Sequence, residues 1–347
     1  MTIIQTVHEV LDTFWPRAAG RQVSPLGNAG GFSGSRLWRV STTGGEFCLR
    51  RWPRESPDHE RLAWIHAVLR HAAGHGLHFI PAPRENLSGQ TIVRRQDFLW
   101  ELSPWLSGVA DYHSSPTQSK LEHALQGLAR FHLAAASFEA QTNAALLQAS
   151  PQRAVPPGIR ERFAFVQQLL AGGYDRMEQA LVRCQWPEFV ARATRVLHLF
   201  RQHAPTAARQ LSAVAHTPVS LQPCIRDIWH DHILFTGDEL TGLVDFGAMR
   251  RDNVATDLAR LLGSLVRDDP AGWTTGLDAY ERLRPLSADE RQLVVAYDRS
   301  TVLLSGMNWL QWICVEQRVF DDGARVLQRL DETLLRLEHR NLRNFPV

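Results

Sequence analysis

The stretch Cys224-Ile-Arg-Asp-Ile-Trp-His-Asp-His-Ile-Leu-Phe235, followed at a short distance by Leu243-Val-Asp-Phe-Gly247, decides the fold. Ile233 to Phe235 and Leu240 to Val244 are short apolar runs separated by Thr236-Gly-Asp238, the signature of a β-hairpin. An aspartate stands at each end, Asp227 before the hairpin and Asp245 after it. A folded hairpin brings both carboxylates to one edge. There one can accept a proton while the other holds a divalent metal. The same residues also fit a plain hairpin with two turn aspartates.

Asp227 and Asp245 lie 18 positions apart. In that spacing, and in the Asp-Phe-Gly turn, the segment resembles the aminoglycoside phosphotransferase and choline kinase family. There a His-Gly-Asp loop and an Asn precede a metal-binding Asp turn. The resemblance implies ATP as phosphate donor, a small-molecule hydroxyl as acceptor, Asp227 as catalytic aspartate and Asp245 as metal aspartate. Ile225 and Arg226 replace the family's His and Gly, and His232 falls on its metal-binding Asn. Imidazole in place of a carboxamide raises Mn²⁺ as an alternative to Mg²⁺.

Working outward, Leu26 to Val40 is expected to be strand, glycine-rich turn, strand. Gly30, Gly31 and Gly34 permit the backbone conformations of a phosphate cradle, and Ser33 sits within it. Glu46 to Trp52 is expected to be the next strand, where the family places a phosphate-binding cation. Lys120 is the only lysine in the chain, so that cation must be arginine. The candidates are Arg50 and Arg51. Strand alternation separates Phe47 and Leu49 from Cys48 and Arg50, and the resemblance, through a similar Leu-Arg-Arg in the family, implies Arg50. Its guanidinium can grip phosphate through paired hydrogen bonds. Residues 58–74 show helical spacing. Glu60, in the first turn, stands where the family's helix glutamate meets the strand cation, although a helix N-terminus attracts acids anyway. Backbone groups from Glu101 to Ser103 are expected to meet an adenine edge.

Helical periodicity dominates after Pro104. The expected fold is α+β and two-lobed, protein-kinase-like. Residues 1–103 form a small antiparallel-sheet lobe carrying the glycine-rich hairpin and one helix, and 104–347 form a mostly helical lobe. The resemblance covers roughly 20–320. Trp309, Trp312 and Glu316 repeat at helical spacing. They suit a cationic acceptor through cation–π contact, and equally the inner face of a helix.

Composition sets limits. A net charge of +2 leaves no polycationic footprint for nucleic acid. No apolar run is long enough for a membrane span, and four scattered cysteines fit a reducing, cytoplasmic setting better than a disulfide framework. A nucleotide-binding pseudokinase is the alternative function. A protein kinase is disfavoured by the lack of an Ala-Pro-Glu segment. A metal hydrolase built on His230, Asp231 and His232 lacks an evident third ligand. Neither the acceptor's identity nor the oligomeric state is legible.

Overall fold

The computed structural model describes residues 2–15, 20–27, 34–145 and 153–339. In chain order, α1 (Ile3–Leu11) leads into β1 (Arg21–Pro25), β2 (Arg36–Thr42) and β3 (Gly45–Arg51). Next come α2 (His59–Gly74), β4 (Val93–Arg95), β5 (Phe98–Pro104) and the long α3 (Gln118–Ala145). The two-residue strand β6 (Arg153–Ala154) precedes α4 (Pro157–Gln168), α5 (Tyr174–Val182) and α6 (Pro187–Val214). The short strands β7 (Val219–Ser220) and β8 (Gln222–Cys224) follow. Then come the hairpin β9 (Ile233–Thr236) and β10 (Glu239–Leu243), and β11 (Arg250–Asp252). The chain closes with α7 (Ala255–Leu265), α8 (Pro270–Glu281), α9 (Ala288–Leu310) and α10 (Gly323–His339).

Two compact units result. The first takes residues 1–142 and 230–249, and the second takes 143–229 and 250–347. The sheet ends at Pro104, where the sequence suggested a boundary, but the first unit continues through most of α3 and takes back the β9–β10 hairpin.

The first unit is built on an antiparallel sheet of order β1-β2-β3-β5-β4. Thr2 and Gln5 form a capping box that starts α1. The helix turns Val7, Val10 and Leu11 onto Trp38, Val40, Phe47, Leu49, Trp100 and Leu102 of the sheet. Burying such side chains is worth about 1.5–3 kcal/mol each, so this face anchors the sheet. Asp58 caps α2 by accepting from the Arg61 amide. The β9–β10 hairpin docks through a bridge between Val109 and Phe235, and through the Leu243 amide on the Phe79 carbonyl at 2.8 Å. Gly127 of α3 allows the approach: a Cβ there would lie 2.0 Å from Leu240.

The second unit is helical. α9 packs against α6, α7 and α10, and α4 packs against α6. A capping box of Ser287 and Glu290 fixes the start of α9. β8 pairs with β11, which holds the start of the Asp227 loop beside the entry to α7. Among the described residues no helix is long and apolar enough to cross a membrane.

Candidate active site

The first unit carries the Asp-Phe-Gly turn. Asp245 adopts a positive φ of 63°, a left-handed conformation that short polar residues tolerate best. Gly247 must be glycine for a different reason: a Cβ there would come within 2.7 Å of the Trp52 ring. Arg61 of α2 secures the turn from outside, donating to the carbonyls of Gly247 at 2.5 Å and Met249 at 3.3 Å.

Arg50 Nη2 donates to Asp245 Oδ1 at 2.9 Å, so the strand cation and the Asp-Phe-Gly aspartate meet directly. The guanidinium lies 4.3 Å from the centre of the Trp52 ring, and its Nε is buried without a hydrogen-bond partner. Arg51 instead lies over Phe98 at 4.2 Å. Lys120 is buried and donates to Asp111 and the Ser115 carbonyl, so the chain's one lysine is engaged elsewhere. Burial pushes the Asp245 carboxyl up, but the charge and hydrogen bond of Arg50 and the charge of His232 outweigh it and hold it below its usual value. His232 Nε2 lies 3.7 Å from Asp245 Oδ2, the oxygen that Arg50 leaves open. A carboxylate oxygen and an imidazole nitrogen turned toward each other fit a divalent cation.

Two expectations for this unit are corrected. Glu60 is exposed on the first turn of α2 and does not meet Arg50. The second carboxylate near Arg50 is Glu101, directly across the β3–β5 ladder. Burial raises the Glu101 carboxyl, yet the hydrogen bond and charge of His66 and the charge of Arg50 hold it below its usual value. The His66 Nε2 to Glu101 Oε2 separation is 2.7 Å, and Nδ1 lies 2.8 Å from Thr91 Oγ1.

The adenine expectation for the backbone of Glu101 and Ser103 fails on register. The Trp52 amide donates to the Leu99 carbonyl, and the Trp105 amide donates to the Glu46 carbonyl. Antiparallel ladders alternate, so the pairs between them, Arg50 with Glu101 and Cys48 with Ser103, are hydrogen-bonded pairs. Their backbone groups face β3. Leu102 faces outward, and its carbonyl accepts from the Arg84 amide at 2.7 Å. In the glycine-rich turn only Gly34 is described, with a positive φ of 77°. Gly30, Gly31 and Ser33 lie outside the described residues.

In the second unit, Asp227 is half-exposed at the tip of its loop. Arg226 before it has φ 67°, a conformation that favours glycine and costs another residue about 1 kcal/mol or more. The conformation is held from below. Asp257 of α7 accepts the backbone amides of Ile225 at 2.7 Å and Arg226 at 2.6 Å. The Arg226 side chain pairs with Glu161 and lies 3.4 Å from Asp252. Arg260, one turn beyond Asp257, donates to Asp227 Oδ1 at 2.5 Å. Sequence reading missed Arg61, His66 and Arg260. For Arg260 the signal was available, because positions i and i+3 share a helix face.

Trp309 is buried in α9, edge-on to Trp312 at 5.1 Å and to Phe320 at 5.3 Å. Arg318 lies 5.6 Å from the Trp312 ring and donates to Glu316 at 2.7 Å. This cluster therefore already contains its own cation.

Each unit carries one feature in keeping with a kinase-like phosphotransferase: a strand cation on the Asp-Phe-Gly aspartate in the first, and an aspartate loop braced by a helix in the second. Residues 26–292 match the model of the phosphotransferase enzyme family, and the chain belongs to that family. It is 26% identical over 307 residues to a homoserine kinase of Brucella anthropi, covering 87% of this chain and 83% of the relative. It is 27% identical over 334 residues to a homoserine kinase of Chelativorans sp., covering 93% and 90%. Its structure resembles that of spectinomycin phosphotransferase in complex with ADP and spectinomycin. The TM-score there is 0.69 at 12% identity, over 96% of this chain and 97% of that one. The chain is an ATP-dependent phosphotransferase acting on a hydroxyl of a small molecule, in the α+β kinase-like fold.

Proposed function

We propose that the chain transfers the γ-phosphate of Mg-ATP to the side-chain hydroxyl of homoserine or a closely similar hydroxy amino acid. The supporting observation is that relatives named homoserine kinase match 87% and 93% of the chain.

Asp227 is the residue that orients the acceptor hydroxyl and takes its proton as the oxygen bonds to the γ-phosphorus. The bond from that phosphorus to the β-phosphate oxygen breaks, and ADP leaves. Little covalent work falls to the protein in such a transfer, and positioning and charge do most of it. Arg50 supplies fixed positive charge for the phosphates. Its unpartnered Nε leaves a donor available while Nη2 stays on Asp245. Asp245 Oδ2 and His232 Nε2 are the groups to hold a divalent metal. Bound there, such an ion neutralises phosphate charge. Mg²⁺ suits the carboxylate, and the imidazole admits Mn²⁺ equally well. The cradle role of Gly30, Gly31, Ser33 and Gly34 is kept as part of this reading, as is a peripheral acceptor role for Trp309, Trp312 and Glu316.

The test is ADP release by the purified chain with ATP and Mg²⁺ against single acceptors: L-homoserine, 3-amino-1-propanol, choline and spectinomycin. Homoserine should give the highest kcat/KM. A higher value for choline or spectinomycin would overturn the assignment of the acceptor.

A further inference from the structure

Beside Asp227 the second unit holds Arg226 of the loop and Arg260 of α7, and the charges of both act on a third guanidinium, Arg162 of α4. Arg226 is fully engaged with Glu161 and Asp252. The other two are not. Arg162 reaches only the Gly158 carbonyl at 3.3 Å and Thr301 Oγ1 at 3.4 Å, with its guanidinium 4.8 Å from the Tyr297 ring centre. No carboxylate among the described residues pairs with it. The nearby Asp252 is occupied: it accepts from Tyr297 Oη at 2.8 Å, the Asn253 amide at 2.9 Å and the Gly158 amide at 3.1 Å. Arg260 gives Nη2 to Asp227, while its Nε is buried and has no hydrogen-bond partner. A guanidinium with one edge on a carboxylate and another donor unused can receive a second anion. A buried donor left without a partner is costly, so a ligand supplying that acceptor gains affinity.

We propose that Arg260, with Arg162 beside it, forms the subsite that binds the carboxylate of the acceptor and so selects hydroxy acids over cationic alcohols. The proposal rests on the reading of Asp227 as the residue that takes the acceptor's proton. Homoserine carries its hydroxyl and carboxylate at the two ends of a short aliphatic chain. One guanidinium bridging Asp227 and the acceptor carboxylate therefore brings the hydroxyl to the Asp227 carboxylate. Aminoglycosides and choline lack a carboxylate and bring positive charge, which Arg260 and Arg162 repel. Arg260 is thus a specificity residue that also sets the resting position of Asp227.

The experiment compares each acid with its decarboxylated partner: L-homoserine with 3-amino-1-propanol, and L-serine with ethanolamine. Wild type should favour the acid member of whichever pair turns over. Arg260→Gln and Arg162→Gln should each lower that acid-to-amine ratio of kcat/KM by about 10- to 100-fold, the scale of a lost charged hydrogen bond. The loss should appear mainly in KM for the acid. Arg260→Lys should restore part of it. ADP binding by each variant, followed by calorimetry, reports an intact fold. If Arg260→Gln does not fold, Arg162→Gln alone decides. An unchanged ratio in folded variants, or a wild-type preference for the amine, overturns the subsite while leaving the phosphotransferase reading intact. Turnover of serine but not homoserine overturns homoserine as acceptor while the ratio still tests the subsite. Normal turnover in Asp227→Asn overturns the reading on which both rest.

Discussion

Arg50 and Asp245, 195 residues apart in the chain, form an ion pair at 2.9 Å inside the first unit. The pair joins the sheet to the Asp-Phe-Gly turn and places a permanent cation beside the carboxylate assigned to metal. Arginine keeps its charge where a buried lysine could lose it, and its planar fork serves two anions at once. Arg50→Ala should weaken ATP by about tenfold or more, on the scale of a lost charged hydrogen bond, and adenosine much less. Calorimetric titration of both ligands checks this. Equal weakening would make Arg50 a packing residue. Arg50→Lys should recover only part of the loss, because an ammonium is a single point donor.

The Glu101–His66 pair should contribute to the pH dependence of stability in the first unit. Burial raises the Glu101 carboxyl, and the hydrogen bond and charge of His66, with the charge of Arg50, bring it below its usual value. A depressed folded-state pKa stabilises the protein above the unfolded value, about 4.3 for glutamate. That contribution is lost as pH falls through the folded value. His66→Ala removes the principal partner of a buried carboxylate. It should cost about 1–3 kcal/mol near neutrality and move the acid limb of the melting-temperature profile to higher pH. An acid limb that does not move would mean that Arg50 alone holds the carboxylate.

Asp227→Asn should lower turnover by about 10² or more, the usual scale for loss of a general base. Nucleotide affinity should change little, because Asp227 is assigned to the acceptor. Pre-steady-state phosphate transfer, with ADP affinity measured in parallel, separates the two. Turnover within a few fold of wild type would remove Asp227 from the chemistry.

How far the sequence carried these assignments depends on which physical signal fixed each residue. The β9–β10 hairpin was legible because apolar runs and a Thr-Gly-Asp turn determine it locally. The scarcity of lysine narrowed the strand cation to Arg50 or Arg51, and the resemblance to the family's Leu-Arg-Arg pointed to Arg50. Glu101 was misread, because its role comes from β5 lying next to β3, a pairing between distant segments that no local pattern encodes. The adenine expectation turned on parity: along a strand, one residue's shift exchanges backbone groups that face a neighbour for groups that face outward. Glu60 was ambiguous from the start, since a helix N-terminus attracts acids whether or not a cation is near. The Arg226 backbone shows the reverse case. Its positive φ, 67°, gives a physical reason for glycine at that position in the family, and Asp257 shows how an arginine is held there.

The proposed metal role of His232 is open to a direct test. His232 Nε2 stands 3.7 Å from Asp245 Oδ2, at the position where the family carries a metal-binding asparagine. Mg²⁺ takes oxygen ligands in near-octahedral geometry and gives up water reluctantly, so imidazole is a poor exchange for a carboxamide oxygen. Mn²⁺ accepts both nitrogen and oxygen. If His232 ligates the metal, wild type should show a higher ratio of Mn²⁺- to Mg²⁺-supported activity than His232→Asn, and the substitution should recover Mg²⁺ activity. If His232 only supports Asp245 by charge, His232→Asn should lower affinity for both metals together and leave their ratio unchanged. Metal titration of nucleotide binding, read independently of turnover, separates the two. A constant Mn²⁺ to Mg²⁺ ratio in both binding and activity would exclude His232 as a ligand and leave Asp245 as the sole protein ligand assigned to the metal.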